Sequence, residues 1–194
     1  DGKSVREVNY SNGVTISYKY ETSTNRAPKL KSVETYGKAN GLMSGTYYTY
    51  DAQDRVSTLT QKSATNFGDS NSNNTKYFTY NDMGQLINED VYDCQGLKVT
   101  STSYNYDING NIIKREIRNR DGSVRSSNKY EYNKIDELMK LIETESGKSV
   151  EKDFVYDLNG NMTDIVSNNT VLKHFAYNEV NQLTEYKDNQ GVDV

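Results

Sequence analysis

Along most of this chain, polar and apolar residues alternate with a period of two, broken every twenty-odd residues by a short polar phrase that contains Asp, Asn or Gly. The stretch "YNYDINGNII" (104–113) returns as "FVYDLNGNMT" (154–163). Aligning that phrase gives six copies: "YTYDAQDRV" (48–56), "FTYNDMGQL" (78–86), "YNYDINGNI" (104–112), "YEYNKIDEL" (130–138), "FVYDLNGNM" (154–162) and "FAYNEVNQL" (175–183). The second aromatic is always tyrosine: Tyr50, Tyr80, Tyr106, Tyr132, Tyr156 and Tyr177, at spacings of 30, 26, 26, 24 and 21 residues. A degenerate copy, "YKYET", lies at 18–22. Repeats of this length mark arrays of one supersecondary unit.

Each column has a physical reading. Two aromatics separated by one residue lie on one face of a strand. Asp or Asn follows every tyrosine, and three residues later stands Asp54, Gly84, Gly110, Asp136, Gly160 or Asn181, the residue types that tolerate a left-handed backbone. That order specifies a hairpin loop built on a type I turn and closed by a left-handed residue. The loop places each tyrosine across from the residue six positions on: Val56, Leu86, Ile112, Leu138, Met162 or Leu183, all aliphatic. Ring-against-aliphatic pairs contribute about 0.2–1 kcal/mol each over Ala–Ala.

The far ends of the strands turn on "DCQG" (93–96), "NRDG" (119–122), "TESG" (144–147) and "DNQG" (188–191). Strands joined by reversals this short are antiparallel neighbours. The expected architecture is all-β: one domain over 1–194, with clear repeats over 48–186, arranged as an antiparallel meander of about a dozen strands in a single twisted or curled sheet. A partly closed barrel or shell segment is the alternative. Two polar stretches, about 21–30 and 61–76, read as loop insertions. The face opposite the rings looks mixed, with Asn105, Asp107, Arg115, Ile113 and Ile117 in one unit and Glu131, Asn133, Glu143, Met139 and Leu141 in the next, which argues against a thick two-sheet core.

Composition sharpens this picture. Only 34% of residues are hydrophobic, with 17 Tyr, no Trp and one Pro, so tyrosine must supply much of the burial. A net charge of −4 without a basic stripe argues against nucleic acid as a partner. No apolar run reaches the ~18 residues of a membrane helix, so membrane insertion is not expected, and no leader opens the sequence. The single Cys94 cannot form an internal disulfide.

The pattern aromatic-x-Tyr-Asp-x-x-Gly-x-Leu resembles the YD repeats of the Rhs, teneurin and insecticidal toxin-complex proteins, over about residues 48–186. In that family the repeats form a spiralling β-sheet wall around a hollow shell, which encloses a toxin polypeptide in bacteria and supports extracellular contacts in teneurins. The resemblance implies that Tyr50, Tyr80, Tyr106, Tyr132, Tyr156 and Tyr177, with Gly84, Gly110 and Gly160, are wall-building positions, and that the protein resides outside the cytoplasm as a secreted, periplasmic or surface-anchored molecule. The family commonly has Arg after the Gly. Here only Arg55 holds that place, against Gln85, Asn111, Glu137, Asn161 and Gln182. The Asp-Pro-rich motif that closes complete Rhs shells is absent, and the chain is too short to surround a cargo.

Candidate chemistry is sparse. "DINGN" (107–111) and "DLNGN" (157–161) place Gly at position four, whereas an EF-hand needs it at six and a Glu at twelve. His174, the only histidine, lacks partners for zinc or base catalysis, and Cys94 lacks a neighbouring base. Acidic residues are abundant, but turn geometry already explains Asp51 and Asp107. The expectation is a protein that is not an enzyme, holds no cofactor or metal, and acts as an extracytoplasmic scaffold or protein-interaction module of a bacterial secreted or surface protein. A carbohydrate-binding module whose exposed tyrosine rows hold surface glycans is the alternative; repeats of the choline-binding and clostridial toxin kind lean on Trp, absent here. Unpaired sheet edges offer a route to self-association.

Overall fold

The computed structural model describes residues 5–23, 26–39, 41–64 and 73–189. The chain divides into two compact units, Asp1–Ser101 and Thr102–Val194. The first holds β1 (Glu7–Asn9), β2 (Thr15–Ser23), β3 (Arg26–Tyr36), β4 (Leu42–Tyr50), β5 (Val56–Ser63), β6 (Asn74–Tyr80) and β7 (Leu86–Tyr92). The division falls within β8 (Lys98–Tyr106). The second unit continues with β9 (Ile112–Asn119), β10 (Val124–Tyr132), β11 (Leu138–Glu145), β12 (Lys148–Tyr156), β13 (Met162–Ser167), β14 (Thr170–Tyr177) and β15 (Leu183–Asp188). Sheet order equals chain order from β1 to β15, so the described residues form one antiparallel meander of fifteen strands with no crossover. No pairing joins β1 to β15 among them, and the sheet is not closed by hydrogen bonds.

Two expected loops are shorter than the sequence suggested. Residues 21–30 lie largely within β2 and β3, which pair as far as Ser23 and Arg26, because ladder hydrogen bonds come from the backbone and form whatever the side-chain polarity. In the second excursion β5 runs on to Ser63 and β6 starts at Asn74, and 65–72 lie outside the described residues. The turn "DNQG" likewise extends beyond them. One reversal escaped the sequence reading: Ser167 pairs with Thr170 across Asn168 and Asn169, both at positive φ (49° and 61°), a two-residue turn of the kind asparagine favours.

The mixed reading of the sheet faces is also corrected. After five of the six aliphatic residues expected to face a repeat tyrosine the register slips by one: Tyr132 pairs with Leu138, but Glu131 pairs with Lys140 and Tyr130 with Leu141. The same slip follows Val56, Leu86, Met162 and Leu183. One unpaired residue, such as Met139, reverses the inward and outward parity of everything beyond it. Leu141 and Glu143 therefore share the face of Tyr130 and Tyr132, as do Arg115 and Ile117 through pairing with Asn128 and Ser126.

With no second layer, burial is shallow. Phe154, at 9% exposure, is the one buried hydrophobic residue among those described, whereas Ser32, Glu34, Thr102, Glu116 and Ser167 are buried polar residues. Charges near the sheet are compensated locally: Glu34 accepts from Lys19 at 2.6 Å and from the Tyr36 hydroxyl at 2.5 Å, and Glu116 takes both Lys114 and Arg118. Cross-strand ladders are the core of this protein.

Candidate functional site

The recurrent residues build one structural device, repeated. In all six turns the Asx side chain organises the backbone. Asp107 Oδ1 accepts the N–H groups of Asn109 at 3.0 Å and Asn111 at 2.8 Å, and Asp51, Asn81, Asn133, Asp157 and Asn178 accept from the corresponding positions. The backbone closes the loop in each case, as in Asp107 N–H to Asn111 C=O (3.0 Å) and Gly110 N–H to Asp107 C=O (3.3 Å). The six residues expected to be left-handed are so, with φ of 67° at Asp54, 81° at Gly84, 94° at Gly110, 63° at Asp136, 83° at Gly160 and 61° at Asn181. Tyr50, Tyr80, Tyr132, Tyr156 and Tyr177 pair with the predicted aliphatic partners.

The tyrosine hydroxyl has a function that ring packing alone does not reveal. Pairing between β9 and β10 stops at Lys114 and Lys129, which leaves the carbonyl of Ile112 without a ladder partner on that side. The Tyr132 hydroxyl donates to it at 3.1 Å. Tyr156 does the same for Leu138 at 3.0 Å, Tyr80 for Val56 at 2.8 Å, and Tyr50 for Leu30 at 2.7 Å. Leu30 pairs with Tyr20, so the degenerate copy at 18–22 occupies the same place in the scheme. Each of these four tyrosines thus ties its hairpin to the one before it, a bond phenylalanine cannot make. Tyr177 donates to no carbonyl among the described residues. Burial, the leading cause, raises the phenol pKa of Tyr50, Tyr80, Tyr106, Tyr132 and Tyr156.

The residue in place of the family's arginine follows a rule. Where the turn opens with Asp, its second carboxylate oxygen needs a donor, and Arg55 Nε (2.7 Å), Asn111 Nδ2 (3.0 Å) and Asn161 Nδ2 (3.0 Å) supply one. Where it opens with Asn, the amide nitrogen needs an acceptor, supplied by Gln85 (2.7 Å), Glu137 (2.6 Å) and Gln182 (3.0 Å). The two kinds alternate along the chain, which makes the sequence repeat a pair of hairpins. Donors of the Asp turns also reach the following Asn turn: Arg55 to the Asn81 carbonyl (3.2 Å), Asn111 to Asp136 (2.7 Å) and Asn161 to Asn181 (2.9 Å). Arg55 further stacks over the Tyr80 ring at 4.6 Å. This complementarity was legible in the sequence and was missed, because each departure from arginine was read alone.

Electrostatics follow these contacts. Burial pushes the Asp51 and Asp107 carboxyls upward, but bonds from the turn amides and from Arg55 or Asn111 outweigh it and hold both below the ordinary value. At Asp157 the Asn161 side-chain bond leads, with the same result.

The turn tips carry a second unread feature. Met83, Ile108, Ile135, Leu158 and Val180 stand at successive tips and are 71% exposed or more. Isolated exposed aliphatics are ordinary, but one on each of five consecutive repeat turns is a surface pattern. Elsewhere little chemistry assembles. His174 Nδ1 lies 2.7 Å from Asp164 on the neighbouring strand, Cys94 is exposed, and no group of three or more His, Cys, Asp or Glu residues arranged to hold a metal occurs among the described residues.

Repeated Asx turns, ring-to-aliphatic pairs and hydroxyl ties define a hairpin-repeat wall, a structural class of β protein. The chain belongs to the Teneurin YD-shell family, whose model matches residues 4–191. Among solved structures it is similar to a porin-like protein from Bacteroides uniformis, with 12% identity, 93% of this chain and 86% of that one covered, and a TM-score of 0.51. It is also similar to TcdB2-TccC3-TEV, at 14% identity and a TM-score of 0.36, covering 93% of this chain but 12% of that one. No curated protein matches the sequence.

Proposed function

We propose that this chain is a wall segment of an extracytoplasmic bacterial protein, a non-enzymatic scaffold that presents a surface for protein contact. A β-repeat shell module is what the family defines; its extracytoplasmic setting and its partner are our reading. The observation that carries it is that the recurrent side chains are engaged internally. The tyrosine hydroxyls go to backbone carbonyls and the Asx oxygens to turn amides, which leaves no recurrent group for catalysis. The exposed aliphatic tips supply the contact surface.

Two measurements test this. Labelling of intact cells with a membrane-impermeant amine reagent should modify Lys134, at a turn tip; labelling only after lysis would remove the extracytoplasmic part. Ile108→Asp with Leu158→Asp should leave the melting temperature unchanged and weaken co-purification of the full-length protein with its partners. Unchanged co-purification would sink the contact surface. Glycan binding by rows of exposed tyrosines draws less support from the ladder, since four of its hydroxyls are already spent on the sheet.

A further inference from the structure

At the end of β6 away from its repeat turn, within the unit Asp1–Ser101, lie two hollows of 310 and 350 Å³ that share Thr75, Asp93 and Gly96 as lining. Volumes of this order are typical of small-ligand sites, about 300–1,000 Å³. The first is walled by Tyr77 and Tyr92, whose ring centroids are 5.2 Å apart with planes at 77°. Tyr77 is 48% exposed and stands outside the repeat tyrosine positions. Two nearly perpendicular rings form a corner that offers apolar surface to a flat, C–H-rich ring.

The polar groups around this corner are acceptors. Asp93 Oδ1 takes the turn amides of Gln95 at 2.9 Å and Leu97 at 3.0 Å, and Oδ2 has no partner among the described residues. Asn74 lines the second hollow. Of the nearby cations, Lys98 pairs with Asp90 at 2.7 Å and lies over the Tyr92 ring at 5.7 Å, and Lys62 lies over the Tyr47 ring at 5.3 Å. An anionic ligand would meet the Asp93 carboxylate at the Tyr77–Tyr92 corner.

We propose that the Tyr77–Tyr92 corner binds a neutral oligosaccharide, a pyranose face resting on a tyrosine ring and a hydroxyl donating to Asp93. This gives the glycan reading a site of its own, separate from the tyrosine ladder, so its failure leaves the wall reading standing.

Affinity electrophoresis through gels containing laminarin, yeast mannan or xylan, with polygalacturonate as the anionic comparison, tests it. The expected result is retardation by at least one neutral polymer and none by polygalacturonate, weakened tenfold or more in Tyr77→Ala and in Asp93→Asn. The second variant keeps the turn acceptor, as Asn81 does in its own turn, and replaces Oδ2 with a donor, so it carries the test if Tyr77→Ala does not fold by circular dichroism. No retardation by any neutral polymer, retardation by polygalacturonate alone, or equal retardation of the wild type and Asp93→Asn would overturn the proposal.

Discussion

The hydroxyl of Tyr132 donates to the carbonyl of Ile112 at 3.1 Å, at the point where β9 and β10 cease to pair. Ile112 opens β9 in the preceding repeat, so this bond joins two hairpins at a point that the backbone ladder no longer joins. The same bond at Tyr50, Tyr80 and Tyr156 gives a reason for tyrosine as the second aromatic of those copies, where phenylalanine could not make it.

Replacing Tyr132 or Tyr156 by phenylalanine should destabilise the chain by about 1 kcal/mol each, the usual net worth of one hydrogen bond. Tyr177→Phe should be close to neutral, because that hydroxyl ties no carbonyl. Urea unfolding of the three variants checks the difference. Equal losses would refute the assignment of the bond.

Asn133→Asp should set a carboxylate against Glu137, 2.6 Å away in the native pair, and lower stability by about 1–3 kcal/mol at pH 7. Adding Glu137→Asn converts the turn to the Asp kind and should restore most of the loss. A double-mutant cycle measures this coupling; additive effects would contradict the donor–acceptor rule.

Gly160→Ala should cost about 1–2 kcal/mol through its left-handed backbone, at a φ of 83°. The new methyl would also stand 3.3 Å from the Glu137 carboxylate. Combining it with Glu137→Ala should leave the backbone part of the penalty and remove the contact, as thermal melts of the single and double variants would show.

Stability should fall at both extremes of pH. The Asp51, Asp107 and Asp157 carboxyls have folded pKa values below their ordinary 3.8, so the unfolded chain takes up protons first, and their contribution, present above 3.8, disappears as pH drops through the folded values. The tyrosines have folded pKa values above their ordinary 10.0. Their contribution is complete below 10.0 and is lost as pH rises through the folded values, when the phenol proton that caps each carbonyl dissociates. Melting temperature against pH should form a plateau with both shoulders, and Tyr132→Phe should reduce the alkaline one.

Much of this protein could be read from local chemistry. Asp or Asn at the head of each turn and a residue tolerant of positive φ three places later determine the loop on their own, because both act through backbone geometry within five residues. The pairing of Tyr132 with Leu138 follows by counting from that loop. The alternation of Asp with donors and Asn with acceptors was equally local, since only complementary groups satisfy both side chains.

What the tertiary structure alone decided depends on residues brought together across strands. The one-residue bulge at Met139 leaves no mark in the sequence, yet it reassigns Leu141 and Glu143 to the tyrosine face. The bond from Tyr132 to Ile112 exists only because neighbouring hairpins part company there, a matter of how successive units meet. The Tyr77–Tyr92 corner arises from two strands meeting beside the turn at Asp93. Turns are set by short-range sterics and hydrogen bonds, so the chain announces them; contacts between hairpins depend on register summed over many residues, so only the folded sheet reveals them.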